Sequence, residues 1–483
     1  ITVMPLTPPV NVSNISANAT ASFKGTIYAD PVTGVVRIVN AHPAGTYNVK
    51  VTAHAIIPVT TVFTFIVQEP VCSQGLFNYG PAISGPSGVQ ALTVNDFNED
   101  GYQDIAAADS NSNSLYLFTG NGNGAFVQQF AANTGNKPSA VASADFNADG
   151  LPDLVTVNRG SNNISVIFGS GSGIFGNSIV LPAGIHPQAI VTGDFNNDRK
   201  PDIAVVNKGS NSITAWFGNG YGGFYANAVF ATGLQPVAIL SGDYNSDGYP
   251  DLVTANYGGN SISVHLGDSL GTFSLGSVVP AGMNPVSIAS ADINRDGKQD
   301  LLVSNYGSHS VSVKLGDGNG GFSGTSEIPV GNNPAGITSG DYNGDGYADF
   351  ATANKTGQSV SIRLARANGT FSSLPDMITA GQPFNLLTGD FNSDGMQDLA
   401  ITKSGPGNLL LFTGNTNEID VLGNNVGIAS GNSIPSQSNH TDFGNVSTNL
   451  VRNFVIKNDG FVNLSIKKIT LAGTDSSRFA ISG

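Results

Sequence analysis

Three carboxylates and an amide oxygen fall within nine residues at Asp96, Asn98, Asp100 and Asp104, in the order Asp-x-Asn-x-Asp-Gly-x-x-Asp. Hard oxygen donors crowded on one short loop suit Ca²⁺, which gathers about six to eight of them, backbone carbonyls included. Tyr102, at position 7, is placed to lend such a carbonyl, and Gly101, at position 6, allows the left-handed turn that folds a loop round an ion. The pattern returns six times. Its ligand positions are Asp145, Asn147, Asp149, Leu151 and Asp153, then Asp194, Asn196, Asp198, Lys200 and Asp202, then Asp243, Asn245, Asp247, Tyr249 and Asp251. They continue as Asp292, Asn294, Asp296, Lys298 and Asp300, then Asp341, Asn343, Asp345, Tyr347 and Asp349, and last Asp390, Asn392, Asp394, Met396 and Asp398. Position 12 is never the bidentate Glu of an EF-hand, since Ala107, Thr156, Val205, Thr254, Val303, Thr352 and Ile401 stand there. One copy alone reads equally well as an Asx-rich turn; seven in register favour metal sites. The third loop has Arg199 in place of glycine, with Lys200 beside it, and is expected to be the weakest or empty.

The elements that hold these loops follow from the period. Successive motifs start 49 residues apart, and a second marker, Gly-x-Phe, keeps the same step at Phe77, Phe126, Phe175, Phe224, Phe273, Phe322 and Phe371. In the third unit, Ala189 to Thr192, Ile203 to Val206, Ser212 to Phe217 and Phe224 to Phe230 are short apolar runs parted by Gly and Asn turns, the pattern of a four-stranded antiparallel sheet. Four strands per repeat, seven repeats, predicts an all-β seven-bladed propeller. The last unit lacks its own Gly-x-Phe strand, so the segment from Gly75 to Pro86 is expected to supply the outer strand of the seventh blade and close the ring.

Composition narrows the function. Of 483 residues only 11% are charged, and the formal charge of −14 argues against binding a phosphate backbone, so nucleic acid is not an expected partner. No apolar run reaches the length of a membrane span, and no signal-peptide pattern opens the chain, whose two ends read as cut from something longer. A single cysteine, Cys72, excludes an internal disulfide. Positions 1, 5 and 9 of the loops hold 21 of the 34 acids; seven Ca²⁺ would cancel the net charge and occupy the stabilising place that disulfides fill in other extracellular proteins. His186, His265 and His309 fall in unrelated columns, no H-E-x-x-H or G-x-S-x-G occurs, and no catalytic residue is assigned.

Phe-Asn-x-Asp-Gly-x-x-Asp-Leu, followed by Val-Ser-Val-x-Leu-Gly-x-Gly-x-Gly-x-Phe, resembles the FG-GAP or VCBS repeat, the blade of integrin α-subunit propellers and of related bacterial and fungal surface proteins and lectins. The resemblance covers about residues 75 to 415. It implies calcium in the loop between the first and second strands of each blade, and ligands on the opposite face. The flanks resemble immunoglobulin-like surface modules. The domains are then a partial sandwich over 1–71, with strands at Ser22 to Tyr28, Val35 to Val39, Thr46 to His54 and Thr61 to Val67, the propeller over 72–415, and a linker plus partial sandwich over 416–483.

On the face away from the acidic loops, the turn after each second strand repeats an asparagine, Asn158, Asn207, Asn256, Asn305 and Asn354. These read as turn residues. Arg159, Lys208, Tyr257 and Tyr306 beside them, and Trp216, are the candidate contacts for a sugar or a protein partner. The expectation is a non-enzymatic, calcium-binding propeller of a bacterial cell-surface protein that binds a glycan or protein ligand. The alternative is a purely structural unit of a fibre or stalk, assembling with neighbouring copies through its flanks.

Overall fold

The computed structural model describes residues 76–414, apart from 226–227, 367–368 and 405–408, and in the flanks residues 14–19, 26–29, 36–39, 45–54, 59–67, 419–423, 426–427 and 454–458. Two compact units result, one of Phe77–Tyr342 with Gly346–Gly414, the other of Ile1–Leu76, Asn343–Asp345 and Asn415–Gly483.

In the first unit each repeat forms one antiparallel sheet. Blade 1 orders Val89–Asn95, Asp104–Asp109, Ser114–Gly120 and Phe126–Asn133 as consecutive neighbours, and the same order recurs in every later blade. Blade 7 has three consecutive strands, Pro383–Gly389, Asp398–Lys403 and Leu409–Gly414. Its fourth is Phe77–Ile83, with Ile83 opposite Leu409 and Phe77 opposite Gly414, so the expected closure is the one observed. The first strands pack against one another in sequence, and that of blade 7 returns to that of blade 1. In blade 3 the outer strand, expected over Phe224 to Phe230, is confined to Ala228–Ala231, with an isolated bridge between Gly218 and Phe224.

Burial explains the sequence of the second strands. All six residues of Asp104–Asp109, and of its counterpart in every blade, are buried, because each lies mid-sheet with a neighbouring blade on both faces. Alternate residues serve the two sides. Ala106 and Ala108 join Leu154 and Ile167 of blade 2, while Ile105 and Ala107 join Phe391 and Ala400 of blade 7. That second cluster also takes Ile83, Leu409 and Leu411, so the ring is fastened by apolar packing as well as by strand pairing. Each large side chain so buried contributes on the order of 1.5–3 kcal/mol.

In the flanks, Gly45–His54 pairs with both Asn14–Ala19 and Val59–Val67, Thr26–Ala29 pairs with Val36–Val39, and Ile419–Gly423 pairs with Val426–Gly427 and Phe454–Asn458. Val59–Val67 packs beside Phe454–Asn458, so segments from both ends of the chain share the second unit. Cys72 lies outside the described residues. Among the described residues no helix is long and apolar enough to cross a membrane.

Candidate metal loops and the opposite face

Each acidic loop is folded by its own side chains. Asp96 accepts the Asp100 N–H at Oδ1, 3.1 Å, and the Gly101 N–H at Oδ2, 2.8 Å. Asn98 Oδ1 also accepts from Asp100 N, and Asp100 Oδ1 accepts from Tyr102 N, at 3.0 and 2.9 Å. The backbone turns left-handed at positions 4 and 6: Glu99 and Gly101 have φ of 61° and 86°, Ala148 and Gly150 57° and 87°. The glycine at position 6 was expected to do this. In the third loop Arg199 does so as well, at φ 63°.

Position 9 has a second task that the spacing does not reveal. Asp104 is fully buried; its Oδ2 accepts the Phe97 N–H at 2.9 Å and its Oδ1 the Gly120 N–H at 2.8 Å. It thereby ties the acidic loop to the end of the third strand, 16 residues on, and the same pair of bonds recurs for Asp153, Asp202, Asp251, Asp300, Asp349 and Asp398. Burial pushes the Asp104 carboxyl up to about 6 against the pull of those N–H donors, and the charges of Asp100 and Asp96 push it further. Asp153, Asp202 and Asp398 are raised to about 6 in the same way, and Asp251 and Asp300 are raised.

With position 9 drawn inward, two carboxylates and one amide remain at the mouth of each loop, and among the described residues no three acidic, histidine or cysteine side chains converge on one point. The donor chemistry still fits a hard cation. Positions 1, 3 and 5 offer oxygen only, position 7 a peptide carbonyl, and each carboxylate oxygen keeps a lone pair beyond its loop hydrogen bond. Two loops carry a cation of their own: Lys200 Nζ lies 3.2 Å from Asp198 Oδ2, and Lys298 Nζ 4.0 Å from Asp296 Oδ2.

The two sequence markers meet between blades. The buried aromatic at position 2 packs edge-on against the Gly-x-Phe phenylalanine of the next blade, as Phe97 with Phe175, Phe195 with Phe273, and Tyr244 with Phe322, at ring separations of 5.9, 5.9 and 5.6 Å. Phe126 with Phe391, and Phe77 with Tyr342, carry the contact across the closure. At several of these junctions a glycine of the third-to-fourth-strand turn donates to the position-2 carbonyl of the neighbouring loop: Gly124 to Phe391, Gly173 to Phe97, Gly222 to Phe146, Gly320 to Tyr244.

A family model for the FG-GAP-like repeat matches residues 96–156, 145–205, 194–254, 243–303, 292–352 and 341–401, each window running from one acidic loop through the next. The chain belongs to the FG-GAP-like repeat family. Of solved structures, BBS1N in complex with ARL6DN superposes on this FG-GAP-like chain with a TM-score of 0.52 and 13% identity, over 71% of this chain and 98% of that one. A Bacteroides fragilis protein provisionally named a 6-phosphogluconolactonase does so with a TM-score of 0.50 and 16% identity, over 66% and 91%. At such identities the likeness is one of fold. No curated protein sequence matches the chain.

On the opposite face of this FG-GAP-like propeller, Arg159 is exposed, and Lys208, Tyr257 and Tyr306 are half-buried. Lys208 Nζ sits 4.7 Å from the centre of the Tyr257 ring, which joins two of the candidates across neighbouring blades. Trp216 does not belong with them. It is 9% exposed, packs in one cluster with Val155 and Val166 of blade 2, and donates from Nε1 to the Pro182 carbonyl at 3.2 Å, because its strand is covered by the preceding blade. Asn158, Asn207, Asn256, Asn305 and Asn354 are fully buried and donate to third-strand serines or threonine, for instance Asn158 to Ser165 at 2.9 Å and Asn207 to Thr214 at 2.9 Å. The left-handed turn residues are instead Asn113, Asn162, Asn211, Asn260 and His309. Each accepts, on its side chain, an N–H from the loop that leads into the next blade, from Lys137, His186, Gln235, Asn284 and Asn333. That column also repeats every 49 residues and was open to reading in the sequence.

Proposed function

We propose that this chain is a calcium-stabilised, non-enzymatic propeller module of an extracellular surface protein, which binds a glycan or protein ligand on the face away from its acidic loops. The observation that carries the calcium reading is the negative charge gathered in loops folded round oxygen donors: in the loops of blades 1, 2, 4 and 7, which have no lysine of their own, burial and then the aspartates at positions 1 and 5 raise the carboxyl at position 9. When bound, the cation supplies the positive charge that ends this repulsion. The residues at positions 1, 3, 5 and 7 would hold it, with position 9 fixing the loop to the sheet. Sites of the extracellular type bind with Kd of about 10⁻⁴–10⁻³ M, so at a tenfold excess each adds roughly 1.4 kcal/mol of stability.

The test is a thermal melt in millimolar calcium against excess EDTA. A large downward shift in EDTA, restored by calcium, is expected; coincident melts would sink the calcium reading. A glycan array with and without chelator then tests the ligand face. The 6-phosphogluconolactonase name of the fold neighbour is not carried over. Two of the histidines that sequence alone left unexplained have side-chain partners, His265 bonding Thr232 on the connection between blades 3 and 4 and His309 receiving the Asn333 N–H. A purely structural role in a fibre is the second reading, favoured by the paired strands that the two flanks bring into one unit; polymerisation that rises with concentration and needs no ligand would establish it.

A further inference from the structure

Blade 5 differs from the blades before it at one outer-strand position. Blades 2, 3 and 4 place Val180, Val229 and Val278 there, whereas blade 5 has Glu327. Its carboxylate turns back onto the sheet, where Ser310 Oγ and Ser312 Oγ donate to it at 2.5 Å each and Asn305 Nδ2 at 3.2 Å. Blade 6 repeats the arrangement with Asp376, which accepts from Ser359 and Ser361 and has Arg363 Nη1 at 3.8 Å. Lys314 is the blade 5 counterpart of Arg363, but its Nζ donates to the Gly324 carbonyl at 2.8 Å. Among the described residues no ion pair reaches Glu327.

A second acceptor stands beside it. Asn305 is fully buried and its Oδ1 has no hydrogen-bond partner. In blades 4 and 6 the matching oxygens, of Asn256 and Asn354, accept from Thr254 and Thr352 two residues earlier; blade 5 has Val303 at that place and no hydroxyl to give. Beside Glu327, and not reaching Asn305, opens a cavity of about 570 Å³, lined by Glu327, His309, Asn260, Met283, Ala281 and Pro329. Met283 is 59% exposed. Glu327 lines the cavity with neutral hydrogen-bond donors only, while the charge of Lys314 acts on it without an ion-pair contact, and such a carboxylate suits a cation that brings its own N–H groups. The apolar wall of Met283, Ala281 and Pro329 suits methylenes behind it.

We propose that this cavity binds a primary ammonium carried on an aliphatic stem, which ion-pairs with Glu327. The inference rests on the reading that this face meets ligands, and a lysine side chain of another polypeptide or a free alkylamine would both satisfy it. Saturation-transfer NMR on the whole chain tests it, with Nα-acetyl-lysine methylamide, its Nε-acetylated form and butylamine as probes. The two ammonium probes should saturate, the Nε-acetylated probe should not, and Glu327→Gln should weaken binding at least tenfold while Asp376→Asn leaves it unchanged. A stronger response from the lysine probe than from butylamine identifies a polypeptide source, the reverse a free amine. Equal binding by the acetylated probe, equal binding by a folded Glu327→Gln variant, or no saturation by any probe overturns the proposal. Binding on the glycan array without saturation by the ammonium probes would remove this inference and leave the ligand-binding reading intact.

Discussion

Arg199 shows what a loop gives up when it departs from the pattern. A side chain at φ 63° costs about 1–2 kcal/mol over glycine, and Lys200 returns part of this by placing its ammonium on Asp198. The third loop thus carries a built-in cation on its own carboxylate, closer than that of the fifth, where Lys298 Nζ lies 4.0 Å from Asp296 Oδ2. Replacing Arg199 with Gly and Lys200 with Tyr, as in blades 1 and 4, should add one calcium per chain by native mass spectrometry. It should also widen the gap between melts in calcium and in EDTA, and raise stability slightly in EDTA itself, because the backbone strain relieved exceeds what the ion pair returned; an unchanged stoichiometry would show that the lysine is not what weakens the site. The acidic residues themselves were legible from spacing, and so was the glycine at position 6. The role of Asp104 and its counterparts as anchors was not, because their partners at Gly120 and equivalent positions lie on another strand, and hydrogen bonds across a sheet leave no local pattern. Trp216 misled for a related reason: aromatic character says nothing of which blade will cover it.

Between elements, the controlling contact is the glycine turn of one blade lying on the acidic loop of the blade before it. Gly173 has φ 71°, and a Cβ there would come within 2.8 Å of Gln129 Nε2 and 2.9 Å of Leu117 Cδ2. Gly150, in an acidic loop, has φ 87° and open space all round. Gly150→Ala should therefore cost only the left-handed backbone term, about 1 kcal/mol. Gly173→Ala should cost that and an overpacking term of about 1–3 kcal/mol more. Urea denaturation of the two variants separates the terms, and equal losses would show that the turn yields without disturbing the interface. Both repeat markers were plain in the sequence, but not that they touch, since the partners lie 78 residues apart in Phe97 and Phe175 and belong to different sheets. The strand order was legible because each blade is built from near neighbours in the chain. The closing strand was legible for an arithmetical reason: seven steps of 49 leave one Gly-x-Phe segment ahead of the first loop and none after the last.

For the whole ring, acid should act in opposite directions with and without calcium. In the metal-free protein Asp104, Asp153, Asp202 and Asp398 have carboxyls raised to about 6 from an ordinary 3.8, and Asp251 and Asp300 are raised as well. A raised acid binds its proton more tightly folded than unfolded, so its contribution to stability is fully present below about 3.8 and is lost as pH climbs through about 6. His265 opposes this. Burial lowers it to about 4, so what it contributes is present above 6.5 and lost as pH falls through about 4. Six carboxyls outweigh one imidazole, and the metal-free ring should melt at a higher temperature at pH 5 than at pH 7. With calcium saturating the loops the ionised carboxylates are the bound form, protons compete with the metal, and the same acidification should lower the melting temperature. Calorimetry at pH 5, 6 and 7, in EDTA and in calcium, reads both slopes. A melting temperature that falls toward pH 5 in both series would mean that the buried carboxylates of the seven loops are not what the ion relieves.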